Sequence, residues 1–500
     1  MSQLSIQQAF ELALQHHQAG RLQEAEQIYR QILALQPDHL GATHYLAVTA
    51  HQFGRNDAAT ELVRRVLALR PDYPDAHSLL GLILRAQGRL DEAVVAQRKA
   101  IALQPTYAEA HSNLGNALKD LARIDEAIAA YRQAIAISPD FADAHTNLGD
   151  ALRGNGQLEE AIAEHRKAVA LKPSFAEAHY NLADALLARG DFQEGWKELE
   201  WRWKCKDFPS PRRNFSQPQW DGSPLQDRTL LIHTEQGFGD SIQFIRYLPL
   251  LARHGGKIII ECQPELERIF QTLPKTPDAG FRIVVKGQPL PSFDLHCPLL
   301  SLPMVFKTTP QSIPADVPYL FPDPQLVQSW RKNLIAPQKP ASSTGFNVAL
   351  AWAGSPDFKG DRTRSLTLDR LSPLRDVRGA TFYSIQKDDA ARQINHPPAG
   401  LHLINLAPQL IDFADTAAAL SLMDLVITTD TSVAHLAGAL GRPVWVMLQF
   451  VPDWRWLVER KDSPWYPSMR LFRQHTPGDW SGVIASVAHA LAVLCSQTHG

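Results

Sequence analysis

The sequence predicts an all-α superhelix of repeats followed by an α/β half built from two doubly wound, parallel-sheet domains. Three observations carry that expectation. Pro37, Pro71, Pro105, Pro139 and Pro173 recur every 34 residues, a fixed period that marks stacked helical units. From Arg228 the chain reads RTLLIHTEQGFGDSIQFIRYLPLLARHGGKIIIECQ: strand, glycine turn, helix, strand, the order of a parallel sheet whose site lies at the strand carboxyl ends. Residues 427–445, ITTDTSVAHLAGALGRPVW, repeat that order with a strand end, a helix mouth, a short helix and the next strand.

The repeat array comes first in the chain. In register with the prolines are Leu46-Ala47, Leu80-Gly81, Leu114-Gly115, Leu148-Gly149 and Leu182-Ala183, then Gly54, Gly88, Ala122, Gly156 and Gly190 at a turn. Small residues Ala59, Ala93, Ala127, Ala161 and Gly195 follow in the second helix of each unit. A single unit cannot bury its apolar stripe, so the units must stack around a concave groove, a surface suited to peptides and partner proteins. Asn113, Asn147 and Asn181 share one repeat position. An amide that donates and accepts at once suits gripping a peptide backbone; the alternative is a bond between helices of the array. His77, His111, His145 and His179 also recur, but helices packed about 8–10 Å apart cannot bring them to one metal, whose ligands reach only about 2 Å. The last unit ends in GWKELEWRWKCK, and Trp196, Trp201 and Trp203 there are expected to dock on the α/β half.

Residues 207–228 carry Pro209, Pro211, Pro218 and Pro224 and read as a linker. The first α/β domain then opens with a strand at Thr229–His233, a turn at Gly237-Phe238-Gly239 and a helix from Asp240. Asp240 can accept a proton from an attacking hydroxyl or cap its own helix; Glu235 and His233 are alternative bases on the same loop. A Pro- and Ser-rich break, APQKPASSTG (336–345), precedes the second domain. That domain begins with a strand at Val348–Trp352, and its next loop carries Lys359, Arg362 and Arg364, cations for concentrated phosphate charge or simply a solvated basic loop. ATFYSIQKDD leads into Gln386 and Lys387. In the 427–445 stretch, Thr428-Thr429-Asp430 ends a strand. Thr431 or Ser432 caps a helix kept slim by Ala434, Ala437, Gly438 and Ala439, leaving backbone N–H groups near Ser432 and Val433 for a phosphate. His435, on the first turn, can add a donor. Beyond it, Trp454 and Arg455 can stack a base or a sugar face or pack a hinge between domains.

These motifs resemble known families. The 34-residue unit resembles the tetratricopeptide repeat, with about six units over residues 1–206. The D-[ST]-x-x-x-H run from Asp430 to His435, and the Gly-Asp pair at Gly239-Asp240, resemble motifs of the heptosyltransferase-like enzymes of glycosyltransferase family 9. The Asn row resembles the ladder by which O-GlcNAc transferases hold acceptor peptides. The overall layout is similar to bacterial repeat-containing glycosyltransferases, some of which are thought to modify flagellin. The resemblance implies a GT-B fold of twin Rossmann-like domains: an acceptor-side domain at 229–340 and a nucleotide-sugar-binding domain at 341–500. It implies Asp240 as general base with His435 and Glu235 beside it, and Lys359, Arg364, Asp430, Thr431, Ser432, Val433, Gln386 and Lys387 around the donor. Gly237, Gly239, Trp454 and Arg455 would make loop contacts, and Asn113, Asn147 and Asn181 would line the acceptor groove. The implied activity is metal-independent transfer from a nucleotide-sugar co-substrate, with no other cofactor, to a protein acceptor. A glycan- or lipopolysaccharide-directed transferase and a non-catalytic scaffold remain alternatives. The first α/β half is short for the family, and Ser432 stands where many relatives have Gly.

The composition of the 500 residues is compatible with this reading. They hold 45% apolar and 20% charged side chains with a net charge of −2, ordinary globular material of about three domains on length alone. That balance offers no electrostatic argument for nucleic acid or an anionic membrane. Cys205, Cys262, Cys297 and Cys495 form no CxxC pair, which points to neither a zinc cluster nor a disulfide framework. With no basic-then-apolar leader and no run of 18 uncharged apolar residues, a cytoplasmic chain without a membrane span is expected.

Overall fold

A computed structural model of the chain describes residues 4–274, 280–332, 345–356 and 360–497. It divides into two compact units, one up to Asn181 and one from Leu182.

Six helix pairs recur in register with the period: α1 (Ile6–Gln18) and α2 (Leu22–Leu35), α3 (Leu40–Gln52) and α4 (Asn56–Leu69), α5 (Pro74–Ala86) and α6 (Leu90–Leu103), α7 (Ala108–Asp120) and α8 (Ile124–Ile137), α9 (Ala142–Gly154) and α10 (Leu158–Leu171), α11 (Ala176–Arg189) and α12 (Phe192–Leu199). The division between units falls within α11. Size complementarity explains the recurring small residue of each first helix. A Cβ at Gly81 would stand 2.5 Å from Gln97, one at Gly115 2.5 Å from Tyr131, and one at Gly149 2.6 Å from His165. The histidine row has a structural explanation as well. The Nε2 atoms of His77, His111, His145 and His179 lie 2.9, 3.0, 3.0 and 3.0 Å from the carbonyls of Pro71, Pro105, Pro139 and Pro173. Each ring ties a first helix to the loop before it.

At the turns the backbone is left-handed: Gly54, Gly88 and Gly156 have φ of 73°, 75° and 79°, and Ala122 has 58° in the same place. A left-handed alanine carries a penalty of roughly 1–2 kcal/mol that glycine does not, partly offset by the looser unfolded chain of glycine.

The second unit holds two parallel sheets. The first contains β1 (Gln226–His233), β2 (Gly255–Cys262), β3 (Phe281–Val285) and β4 (Leu295–Pro298) in the order β3-β2-β1-β4. The second contains β5 (Phe346–Ala351), β6 (Ala380–Ser384), β7 (Leu403–Asn405), β8 (Leu425–Thr429), β9 (Val444–Leu448) and β10 (Met469–Arg473) in the order β10-β9-β8-β5-β6-β7. In each, the domain's first strand lies between its second and its fourth, the doubly wound arrangement with a crevice at the switch point. Between the strands run α13 (Phe238–Phe244), α14 (Leu248–Ala252), α15 (Glu267–Phe270), α16 (Leu302–Val305), α17 (Pro324–Trp330), α18 (Asp361–Arg364), α19 (Phe413–Ser421), α20 (Ser432–Ala439) and α21 (Trp480–Gln497). β8 and β9 are buried along their whole length, as strands covered on both faces must be.

Helix α21 is long and apolar enough to cross a membrane by length and composition. Its residues Val483, Ile484, Val487 and Leu491 pack with Val348, Leu350 and Ile427 of the second sheet.

Two expectations need correction. The stretch read as a linker is built into the first domain: Phe215 packs on Leu231, Ile259 and Val284, Trp220 is buried, and the Trp220 amide donates to the His296 carbonyl at 2.8 Å. Of the three tryptophans after the repeats, only Trp196 is buried, with its indole N–H on the Thr308 carbonyl at 3.0 Å. Trp201 and Trp203 are half-buried, and the residue between them, Arg202, is enclosed completely. The proline-rich break lies outside the described residues except for Gly345.

Ala122→Gly is expected to stabilise the chain by about 1 kcal/mol, seen as a higher urea midpoint at unchanged slope. Gly115→Ala, whose new methyl would strike the Tyr131 ring, should lower it by about 1–3 kcal/mol.

Candidate active site

The mouth of α20 opens at the switch point of the second sheet, where β8 lies beside β5. Thr431 is its N-cap but makes no side-chain bond to the helix; its hydroxyl lies 3.1 Å from that of Thr428 instead. The N-cap side chain thus leaves the helix start uncapped, and Ser432 and Val433 are only half-buried. Such an end favours an anion. His435, one turn in, is buried, with Nδ1 3.0 Å from the Tyr466 hydroxyl and its ring stacked on Trp456 at 5.4 Å. Burial, then Arg455, Arg246 and Arg364, hold its pKa well below the usual histidine range. These surroundings favour the neutral imidazole.

Helix α13 faces this mouth at close range. A Cβ on Gly239 would stand 2.9 Å from His435 Cδ2 and 3.6 Å from Ser432 Cα, so only glycine lets the two helices approach this far. Asp240 does cap its helix: Oδ2 accepts the Gly237 amide at 2.9 Å. Its other oxygen pairs with Arg455. Arg455 also donates to Asp453 Oδ1 at 2.8 Å and to Gln243 Oε1 at 2.7 Å. Burial raises the Asp240 carboxyl and Arg455 opposes the rise. Burial, then Asp453, push Asp430 up to about 6. The structure thus gathers Asp240, Asp430 and Asp453 about Arg455, with Arg364 close enough to act on Asp430 and His435. Arg364 also bonds Asp361 Oδ1 at 3.1 Å and crosses close over Gly354.

Other candidates are placed elsewhere. Glu235 does not face the crevice. It is buried on Arg202, with Oε1 2.7 Å from Nη2, and that guanidinium also holds Glu200 Oε1 at 2.6 Å and Ser301 Oγ at 3.0 Å. His233, the other alternative base, is buried 3.3 Å from His296 Nδ1 and its pKa is lowered to about 3, first by burial. Gln386 braces the loop after β5. Its Oε1 accepts from Trp352 N at 2.8 Å and Ala353 N at 2.9 Å, and its Nε2 donates to the carbonyls of Ala353 and Lys387 at 3.0 Å each. Lys387 is exposed, with Nζ on the carbonyls of Leu410 at 2.8 Å and Ala407 at 3.4 Å. Trp454 offers no open face for a base: it is buried edge-on to Trp196 at 5.2 Å, and Arg455 lies over it at 4.4 Å. Of the two uses open to this pair, packing between the sheets is the one the contacts describe. Lys359 lies outside the described residues.

In the array, Asn113 Nδ2 donates to Ser78 Oγ at 3.4 Å and Asn181 Nδ2 to Asp150 Oδ1 at 2.8 Å, bonds to the preceding repeat; Asn147 is half-buried at the same position. Among the described residues no group of three or more His, Cys, Asp or Glu is placed to hold a metal ion.

Sequence reasoning missed Tyr466, Gln243, Arg246 and Arg202. Each matters through a partner far away in sequence.

Arg202→Met leaves Glu235 buried without its cation and is expected to cost about 3–5 kcal/mol, much of it recovered in the double variant with Glu235→Met; urea unfolding of the three proteins checks this. Asp430 gives a prediction with a defined sign. Its folded pKa is raised to about 6, so the folded chain binds this proton more tightly than the unfolded chain does. The penalty for the ionised form is present above that value and is relieved as pH falls below it. Asp430→Asn should therefore raise the melting temperature at pH 7.5, and the gain should shrink on acidification to pH 5.

Comparison with known proteins fits this geometry. Models described as TPR repeat match residues 81–122, 115–156 and 149–190, and one described as tetratricopeptide repeat matches 16–83. The model of glycosyltransferase family 9 (heptosyltransferase) matches 380–447, from β6 through the mouth of α20 into β9. Protein FlbA of Caulobacter vibrioides is 28% identical over 317 residues, 60% of this chain and 52% of FlbA. The chain thus spans about half the length of that curated relative. Among solved structures, a thermophilic TPR protein of Thermus thermophilus is 26% identical with a TM-score of 0.34, covering 37% of this chain and all of that one. MamA is 27% identical with a TM-score of 0.29, covering 33% of this chain and 96% of that one. The chain therefore joins N-terminal tetratricopeptide repeats to a glycosyltransferase family 9 domain, within an α/β half whose two parallel sheets are consistent with GT-B twin Rossmann-like domains.

Proposed function

We propose that this chain transfers a sugar from a nucleotide-sugar donor to a protein acceptor recruited by its repeats. The observation that carries the reading is the uncapped mouth of α20, inside the family 9 match, in contact with the helix that bears Asp240. The acceptor hydroxyl attacks the anomeric carbon, the bond from that carbon to the diphosphate oxygen breaks, and the hydroxyl proton passes to Asp240. A carboxylate whose pKa is raised by burial accepts that proton more readily than an exposed one, while Arg455 keeps it ionised beforehand. The departing nucleoside diphosphate meets the amides of Ser432 and Val433, the neutral imidazole of His435 and the Arg364 cation. In this reading transfer needs no divalent ion and survives chelation. The repeats supply binding energy remote from the reacting atoms, which serves positioning. A nucleotide-sugar co-substrate fits the cytoplasmic location we propose.

The test begins with melting of the full chain against a panel of nucleotides and nucleotide sugars. A ligand at 100 times its dissociation constant adds about 2.7 kcal/mol, so one nucleotide series should stand out. Asp240→Asn should keep that shift and lose transfer by roughly 10²–10⁴-fold. With the donor so identified, a mass increase on one protein supports the protein-acceptor reading, whereas sugar appearing only on a glycan moves the assignment to the glycan-directed alternative. No shift with any donor favours the scaffold.

A further inference from the structure

Tyr466 lies before β10 and is fully buried. Gly438 of α20 makes room for its ring: a Cβ there would stand 2.4 Å from Tyr466 Cδ1. Its hydroxyl is 3.0 Å from His435 Nδ1 and 3.4 Å from the Tyr319 hydroxyl. The Tyr319 hydrogen is committed to the Ile242 carbonyl at 2.9 Å, and the Tyr319 oxygen already accepts Arg246 Nη2 at 3.2 Å. Arg246 in turn lies 4.4 Å over the Tyr466 ring and donates to the Trp465 carbonyl at 2.6 Å.

This set of bonds decides where one proton sits. Tyr466 has a single hydrogen to give. The 3.0 Å contact to Nδ1 is a good hydrogen bond, whereas 3.4 Å to an oxygen already taken is at the limit of one. With Tyr466 as the donor on this shorter contact, Nδ1 accepts and the ring's own proton belongs on Nε2. The Nε2 edge runs along Gly239, with Nε2 itself 3.5 Å from where a Cβ there would stand. It faces the gap between the starts of α13 and α20, while Trp456 covers one face of the ring at 5.4 Å.

We propose that Tyr466 is a positioning residue that fixes His435 as the neutral Nε2–H tautomer, so that the imidazole serves the departing diphosphate as a hydrogen-bond donor and not as an acid. This rests on the transferase reading above. The cationic surroundings of His435, Arg455, Arg246 and Arg364, disfavour an imidazolium, which leaves the tautomer as the property that Tyr466 can set. The proton stays on the ring throughout the transfer.

The test combines a spectroscopic readout with kinetics on the full chain. In ¹⁵N spectra of histidine-labelled protein, His435 is assigned by the signal lost in His435→Gln. It should show a protonated Nε2 and a bare Nδ1 in the wild type, and a mixture of tautomers in Tyr466→Phe. That variant should lose kcat by at most the roughly 10²-fold expected for one oxyanion donor, with donor KM nearly unchanged. Tyr383→Phe, a buried tyrosine elsewhere in the second sheet, should leave both readouts at wild-type values. Because the Nε2 amide of glutamine can stand in for the imidazole Nε2 and asparagine reaches only the Nδ1 position, His435→Gln should retain more activity than His435→Asn, whether or not Tyr466→Phe folds. A wild-type proton on Nδ1, a doubly protonated ring, an unchanged tautomer and kcat in Tyr466→Phe, or asparagine outperforming glutamine would each overturn the proposal. If no donor is turned over by the wild type, the transferase reading fails on that count, and the spectra still decide the tautomer.

Discussion

The guanidinium of Arg455 is the group on which the site depends, because it is buried, must be paired, and finds its partners in both domains. It follows β9 of the second sheet, yet two of its three side-chain partners, Asp240 and Gln243, belong to α13 of the first domain. An unpaired buried cation costs several kcal/mol, and a paired one is worth little more than a well-packed apolar group. Stability alone therefore gives no reason to place an arginine here. What it achieves is geometric: it ties α13 to the loop after β9, and the bare backbone of Gly239 allows α13 to touch α20. The aromatic packing obeys the same constraint. Trp196, Phe244, Trp454 and Trp465 close around this junction with ring centroids 5.2–6.5 Å apart.

Much of the fold is legible in the sequence because its determinants are local and periodic. A proline and a small residue every 34 positions are enough to announce stacked helix pairs. The doubly wound half shows itself through β-branched runs that end in glycine turns. The segment between the halves misleads for the opposite reason. Four prolines suggest a tether, but proline also suits an extended chain along a sheet edge, and whether Phe215 and Trp220 find a surface depends on strands far along the chain. Trp201 and Trp203 mislead in the same way. Large aromatics look like docking residues, while the enclosed side chain is the arginine between them, whose partner Glu235 lies 33 residues further on.

At the site, the stretch from Asp430 to His435 is readable because strand, turn and helix mouth are one continuous piece of chain. Polar residues taken singly are less legible. The role of Gln386 depends on which backbone groups it meets, and here its amide meets four, which makes it a brace. Glu235 has the side chain of a base and the surroundings of an ion-pair partner. The contact of Tyr466 with His435 is legible only when the two hydrogen-bonding atoms are brought together.

The charge arrangement explains why the two sheets must meet. Three carboxylates, Asp240, Asp430 and Asp453, would repel a diphosphate if they were free. Arg455 engages Asp240 and Asp453 directly, and Asp430 is pushed toward its neutral form by burial and by Asp453. The α20 mouth thus lies beside Arg364 with two of the three carboxylates already paired to Arg455. In the transfer we propose, proton acceptance and leaving-group stabilisation fall to helices of different domains, Asp240 on α13 and the donors on α20. Either domain alone would hold half of the chemistry: a carboxylate with no reason to stay ionised when buried, or an anion site with no base within reach. On that proposal, closing the two on one arginine is what makes both halves competent together.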